Sequence, residues 1–223
     1  MEHFGLKVYA RKHGLYLDRD NYAIIDNKSS FNTKLKGLEG CYKDEEGRYY
    51  TDEWCEKHRG DCLKNFDLNM KFYRSLSKQE FNGEINAFIT KNQTFTEVFD
   101  LGLYAKASGY YLMVLDRYCQ IYIGTTNDIK RRIQQHWSIQ QKFDRLLFPI
   151  GAVEKSVLSI DCFRALDTTR IFAYKSSDTY IQEDEFINEF SPRFICNRVG
   201  GGKLDGDLTG MLNIMSTMKQ REL

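Results

Sequence analysis

The chain has 223 residues, 42% of them hydrophobic and 14% aromatic, with 32 basic against 31 acidic side chains and a net charge of +1. This composition excludes a disordered or low-complexity chain. The balanced charge excludes an overall basic field, so any nucleic-acid surface must be a local patch.

The length allows one large or two small domains with a sizeable core. The two prolines argue against a long linker. No long apolar run or signal peptide is expected, because MEHFGLKVYARK turns polar at once; the cytoplasm is the default, with no membrane partner. The six cysteines are scattered, which favours reduced thiols. Cys119, Cys162 and Cys196 sit in apolar surroundings and read as small buried hydrophobes. Cys41, Cys55, His58 and Cys62 cluster and are metal-ligand types. A structural Zn²⁺ is one reading and ordinary loop and core residues the other, since only Cys55-x-x-His58 has a knuckle-like spacing.

Along residues 1–100 the segments 6–10, 15–17 and 22–25 are short and apolar. Residues 40–54 read as a polar turn at Gly47 between aromatic-rich strands. Ser77-Lys78-Gln79-Glu80 is a capping box, followed by Phe81, Ile85, Phe88 and Ile89 on one helical face. Residues 94–97 read as the start of a short helix. A boundary near 95–105 would separate an N-terminal α+β domain (1–100) from a second domain (101–223). The first domain is either a structural or dimerisation module or a DNA-recognition module, the latter resting on Lys28, Lys34, Lys36 and Arg48.

The most informative stretch is 109–136, GYYLMVLDRYCQIYIGTTNDIKRRIQQH. Residues 110–115 form an apolar, aromatic and β-branched run that reads as a strand buried on both faces. A polar break at 116–119 and a second strand at 120–123 make an antiparallel hairpin. Gly124 then reads as a turn that ends the strand. Thr125, Thr126, Asn127 and Asp128 are N-cap types, with Ile129, Ile133 and His136-Trp137 following at helical spacing. Tyr111 and Tyr122 would sit on neighbouring strands, and Arg132 and His136 on one helix face. Two phenols, a guanidinium and an imidazole suit phosphodiester chemistry, because Arg offers a donor fork to phosphate oxygens and Tyr or His can move protons.

Gly109-Tyr110-Tyr111, then Tyr122-Ile123-Gly124, then Asn127, Arg132 and His136 in this order resemble the GIY-YIG nuclease superfamily. Tyr110 stands where the family usually has Ile. The resemblance covers residues 108–199 and implies a small three-stranded mixed or antiparallel sheet flanked by helices, in an α+β chain whose N-terminal fold is left open.

Further along, 142–148 is a helix end or a strand, Pro149 and Gly151 mark a loop, and 157–166 reads as the third sheet strand. Asp167-Thr168-Thr169 reads as the N-cap of a helix through 174, and a further helix is expected over 179–190. The resemblance implies that Glu183 on this helix is the metal ligand, ahead of Pro192-Arg193-Phe194 and Asn197; Glu185, about 200° around the helix, is the alternative carboxylate, and the two cannot both line one site. It further implies one Mg²⁺ (or Mn²⁺) on Glu183, with Arg132 stabilising the transition state and the base drawn from Tyr111, Tyr122 or His136. Lys130 and Arg131 would add non-specific DNA-backbone contacts. Gly200-Gly201-Gly202-Lys203 lacks the context of a phosphate loop and reads as an exit from the core. Residues 208–218 read as a closing helix. The function implied is a metal-dependent DNA endonuclease of restriction, mobile-element or repair type. Cutting both strands would require a second subunit or a second binding event, so a homodimer is one option. The alternatives are a catalytically silent DNA-binding module and an interaction protein.

Overall fold

In a computed structural model the chain is described over residues 1–10, 13–26, 50–148, 151–179 and 181–198. Cys41, Lys28, Lys34, Lys36, Arg48, Gly47 with residues 40–49 of the hairpin expected around it, Pro149, the Gly200–Lys203 stretch and the helix expected over 208–218 lie outside these residues. The architecture is α+β. The described elements are β1 (Glu2–His3), β2 (Leu6–Lys7), α1 (Arg19–Tyr22), α2 (Asp52–Ser75), α3 (Lys78–Lys91), β3 (Thr96–Glu97), β4 (Gly109–Leu115), β5 (Gln120–Thr126), α4 (Ile129–Ser138), β6 (Arg170–Lys175) and α5 (Glu183–Asn188), joined by several 3₁₀ turns.

The central sheet has four antiparallel strands in the order β3-β6-β4-β5, rather than the three expected. The hairpin forms as the residue pattern implied: Tyr111 faces Gly124 and Met113 faces Tyr122 across it. Every residue of β4 is buried, because the strand lies between two apolar clusters. Tyr111, Met113 and Leu115 point into one cluster, and Tyr110, Leu112 and Val114 into the other, as the two-residue period of a strand requires. Both clusters draw on residues from either side of the boundary expected near 95–105.

Two sequence readings exchange places. The third strand is not 157–166, which is irregular with 3₁₀ turns at Ile160–Cys162 and Ala165–Asp167. It is Arg170–Lys175, where a helix was expected. Asp167 does not cap a helix, because its carboxylate accepts from the Leu17 and Arg164 backbone N–H groups, both at 2.8 Å, and from the Tyr118 hydroxyl at 2.9 Å. Freed from that cap, the alternating Ile171-Phe172-Ala173 run pairs with β4. The fourth strand is Thr96–Glu97, also expected as helix, which pairs with Phe172 and Ala173.

Helix α3 starts as expected, with the Ser77 hydroxyl accepting from the Glu80 N–H at 3.3 Å. Phe81, Ile85 and Phe88 are its buried face. The Glu80 carboxylate turns to Arg193. Helix α2 had no counterpart in the sequence reading, and residues 52–54, assigned there to a strand, are its first turn. Its buried stripe is Cys55, His58, Cys62, Asn65, Phe66, Asn69 and Tyr73. The spacing is helical, but His58, Asn65 and Asn69 are polar, and the stripe does not register as an apolar face. Asn65 and Asn69 are buried because their amides donate to the Val153 and Ser156 carbonyls at 2.7–2.9 Å. Among the described residues no helix is long and apolar enough to cross a membrane.

Candidate active site

The candidate site forms at the face of the β4–β5 hairpin that α4 covers. Asp128 is the N-cap of α4, accepting from the Arg131 N–H at 3.0 Å. Burial of Ile129 and Ile133 then fixes the helix rotation, so that His136 is buried and Arg132 half-buried above the sheet. Lys130 is half-buried and Arg131 exposed in the first turn.

Tyr111 is fully buried, with its hydroxyl 2.8 Å from His136 Nε2. The Arg132 charge acts on the same phenol, lowering its pKa against burial, the larger effect, which raises it. The Tyr122 ring lies 6.1 Å from that of Tyr111 and 5.0 Å, edge to face, from His136. Gly124 belongs to this packing and does not end the strand; β5 runs on to Thr126. A Cβ on Gly124 would lie 2.4 Å from the Tyr111 hydroxyl and 2.9 Å from the Tyr122 ring. The glycine is needed for close approach and not for a turn.

The structure adds a residue that sequence reading missed. His136 Nδ1 lies 2.7 Å from Asp161 Oδ1. A carboxylate only accepts, so Nδ1 carries the proton and Nε2 is the acceptor for the Tyr111 hydroxyl. Burial lowers the His136 pKa, against Asp161, which raises it. Asp161 stands on the 3₁₀ turn of the segment expected as a strand. The only signal was a carboxylate inside the apolar run 157–163.

Glu183 is the first residue of α5 and is buried, whereas Asp184 and Glu185 are exposed. Burial and then Asp184 push its carboxyl from 4.5 up to about 7, while Arg132 and a hydrogen bond from the Thr125 backbone act the other way. The same Glu183 charge raises Tyr111 and Tyr122, whose largest cause is burial. Tyr111, Tyr122, Arg132, His136 and Glu183 therefore share one electrostatic environment. Asn197 is nearby but differently engaged. Its Oδ1 accepts from the Ile123 N–H at 3.1 Å and its Nδ2 donates to the Ile123 carbonyl at 2.7 Å. The carboxamide thus pairs along the open edge of β5, beside the Ile121–Ile195 bridge.

Among the described residues no group of three or more His, Cys, Asp or Glu side chains is arranged to hold a metal. One buried carboxylate still fits Mg²⁺, which keeps several waters and is completed by substrate phosphate oxygens. The zinc reading has less to build on. His58 Nε2 is 2.9 Å from the Phe143 carbonyl and 3.4 Å from Cys62 Sγ, with Trp54 stacked on its ring. Burial first, then Cys162 and Asp61, pushes the Cys62 thiol up to about 12.

No protein-family model, curated protein or solved structure matches this chain. The functional reading rests on the residues and their geometry.

Proposed function

We propose that this protein is a divalent-metal-dependent DNA endonuclease of the GIY-YIG type. The observation that carries the reading is the convergence of Tyr111, Tyr122, Arg132, His136 and Glu183, drawn from two strands and two helices, around one end of the hairpin. A merely structural role for five such residues would not require a half-buried guanidinium among a buried phenol, imidazole and carboxylate.

Glu183 would hold one Mg²⁺ (or Mn²⁺), which when bound supplies neutralising charge at the scissile phosphate. Arg132, with its donor fork, binds phosphate oxygens and stabilises the charge that grows on them in the transition state. Tyr111 is the group that takes the proton of the attacking water: its own proton passes to His136 Nε2 along the 2.8 Å contact, and Asp161 stabilises the imidazolium so formed. Burial holds the Tyr111 pKa well up, so the phenol stays neutral until substrate is in place. Lys130 and Arg131 make backbone contacts to DNA. Asn197 holds β5, and with it Tyr122, in register.

The test is cleavage of supercoiled plasmid and of branched duplexes by the wild-type protein, by Glu183→Ala and by Arg132→Ala, each with Mg²⁺ and with EDTA. Metal-dependent nicking by the wild type alone supports the reading. Equal cleavage by either variant removes it, and DNA binding without cleavage by the wild type leaves a silent binding module.

A further inference from the structure

Tyr110 is adjacent to the candidate base but points to the opposite face of the sheet. It is fully buried, its ring stacked on Tyr174 at 5.9 Å and edge-on to Phe186 at 5.2 Å. Its hydroxyl makes three hydrogen bonds, all to the backbone just before Glu183. It donates to the Asp178 carbonyl and accepts from the Ile181 N–H at 3.2 Å and the Gln182 N–H at 3.1 Å.

Those bonds matter because α5 is only six residues long and no side chain of Gln182 caps it. The N–H of Gln182, the N-cap residue, and that of Ile181 before it both end on a phenol supplied by the sheet, which fixes the chain where it enters α5. Phe186, one turn beyond Glu183, packs on the ring of the same tyrosine. Tyr110 thus grips α5 on both sides of Glu183, through its hydroxyl before it and its ring after it. An isoleucine at this position could fill the space but could make none of the three bonds.

We propose that Tyr110 is a positioning residue that sets the depth and orientation of the Glu183 carboxylate for divalent-cation binding. This rests on the nuclease reading, in which Glu183 is the metal ligand. Supporting groups of this kind act through the ligand they orient, and their loss weakens metal binding.

The test is Tyr110→Phe, which keeps the ring packing and deletes one oxygen. Mn²⁺ binding in the presence of a non-cleavable phosphorothioate duplex would be measured by electron paramagnetic resonance on the wild type, Tyr110→Phe and Glu183→Gln. Amide exchange over residues 181–188 and the thermal midpoint would be followed alongside. The expected result is Mn²⁺ binding weakened about tenfold in Tyr110→Phe, with faster exchange over 181–188 and cleavage restored by excess Mn²⁺. If the wild type binds Mn²⁺ through Glu183 and Tyr110→Phe binds it as tightly, whatever its thermal midpoint, the positioning role is overturned and the nuclease reading stands. If the wild type shows no Glu183-dependent Mn²⁺ binding, both fall.

Discussion

His136 Nδ1 and Asp161 Oδ1 are 2.7 Å apart, joining a helix to an irregular loop that lies 25 residues further along the chain. This contact fixes the proton on Nδ1 and so decides which nitrogen faces Tyr111. Replacing Asp161 by Asn offers the ring an amide N–H as well as a carbonyl and lets the tautomer reverse. Asp161→Asn should lower the single-turnover cleavage rate by about 10²–10⁴-fold, the scale seen when the orienting carboxylate of a catalytic histidine is neutralised. Substrate affinity should change little. A rate within threefold of wild type would remove Asp161 from the proton path.

Gly124 and the Tyr111 phenol are too close for any side chain between them. Gly124→Ala should force the phenol away from His136, losing cleavage and destabilising the fold by about 1–3 kcal/mol, as overpacking of a filled core does. Urea unfolding and plasmid nicking on the same preparation measure both effects. An active variant of unchanged stability would mean that Tyr111 repacks without loss.

Asn197 works on the backbone. Asn197→Ala leaves the buried N–H and carbonyl of Ile123 without their partner, which should cost about 2–4 kcal/mol for the pair. Denaturant unfolding should show this loss. Whatever cleavage remains should keep the wild-type dependence on metal, since the carboxamide is engaged by the Ile123 backbone.

Glu183 makes stability depend on pH. Its pKa in the fold, about 7, lies above the ordinary 4.5, so the native state holds this proton more tightly than the unfolded chain. The stability this supplies is complete below pH 4.5 and is lost as pH rises through 7. Glu183→Gln removes that dependence. Its stability relative to wild type should therefore climb between pH 4.5 and 7 by roughly 2–3 kcal/mol and stay level above. A stability difference that is flat across this window would mean that the carboxyl is not desolvated.

The hairpin of β4 and β5, the helix after it and the start of α3 were legible because local rules determine them: strand alternation, an N-cap aspartate, a serine before an apolar face. Helix α2 was illegible because His58, Asn65 and Asn69 sit on its buried stripe, and what makes them tolerable there is a set of loop carbonyls about 85–91 residues away. The strand at 170–175 was misread because Asp167 is a good N-cap type that tertiary contacts use otherwise. Asp161 carried almost no signal of its own, since its role exists only in contact with His136.

By itself the sequence determined which chemical groups are available: two tyrosines, an arginine, a histidine and a glutamate, on elements whose local periods are clear. The tertiary structure decided what those groups become. It buried Glu183 and left Glu185 in water, turned Asn197 to the backbone, put Asp161 behind His136 and brought the Tyr110 hydroxyl to the start of α5. The division has one physical reason. Helix and strand periods depend on neighbours along the chain, whereas desolvation, hydrogen bonding and charge coupling depend on neighbours in space.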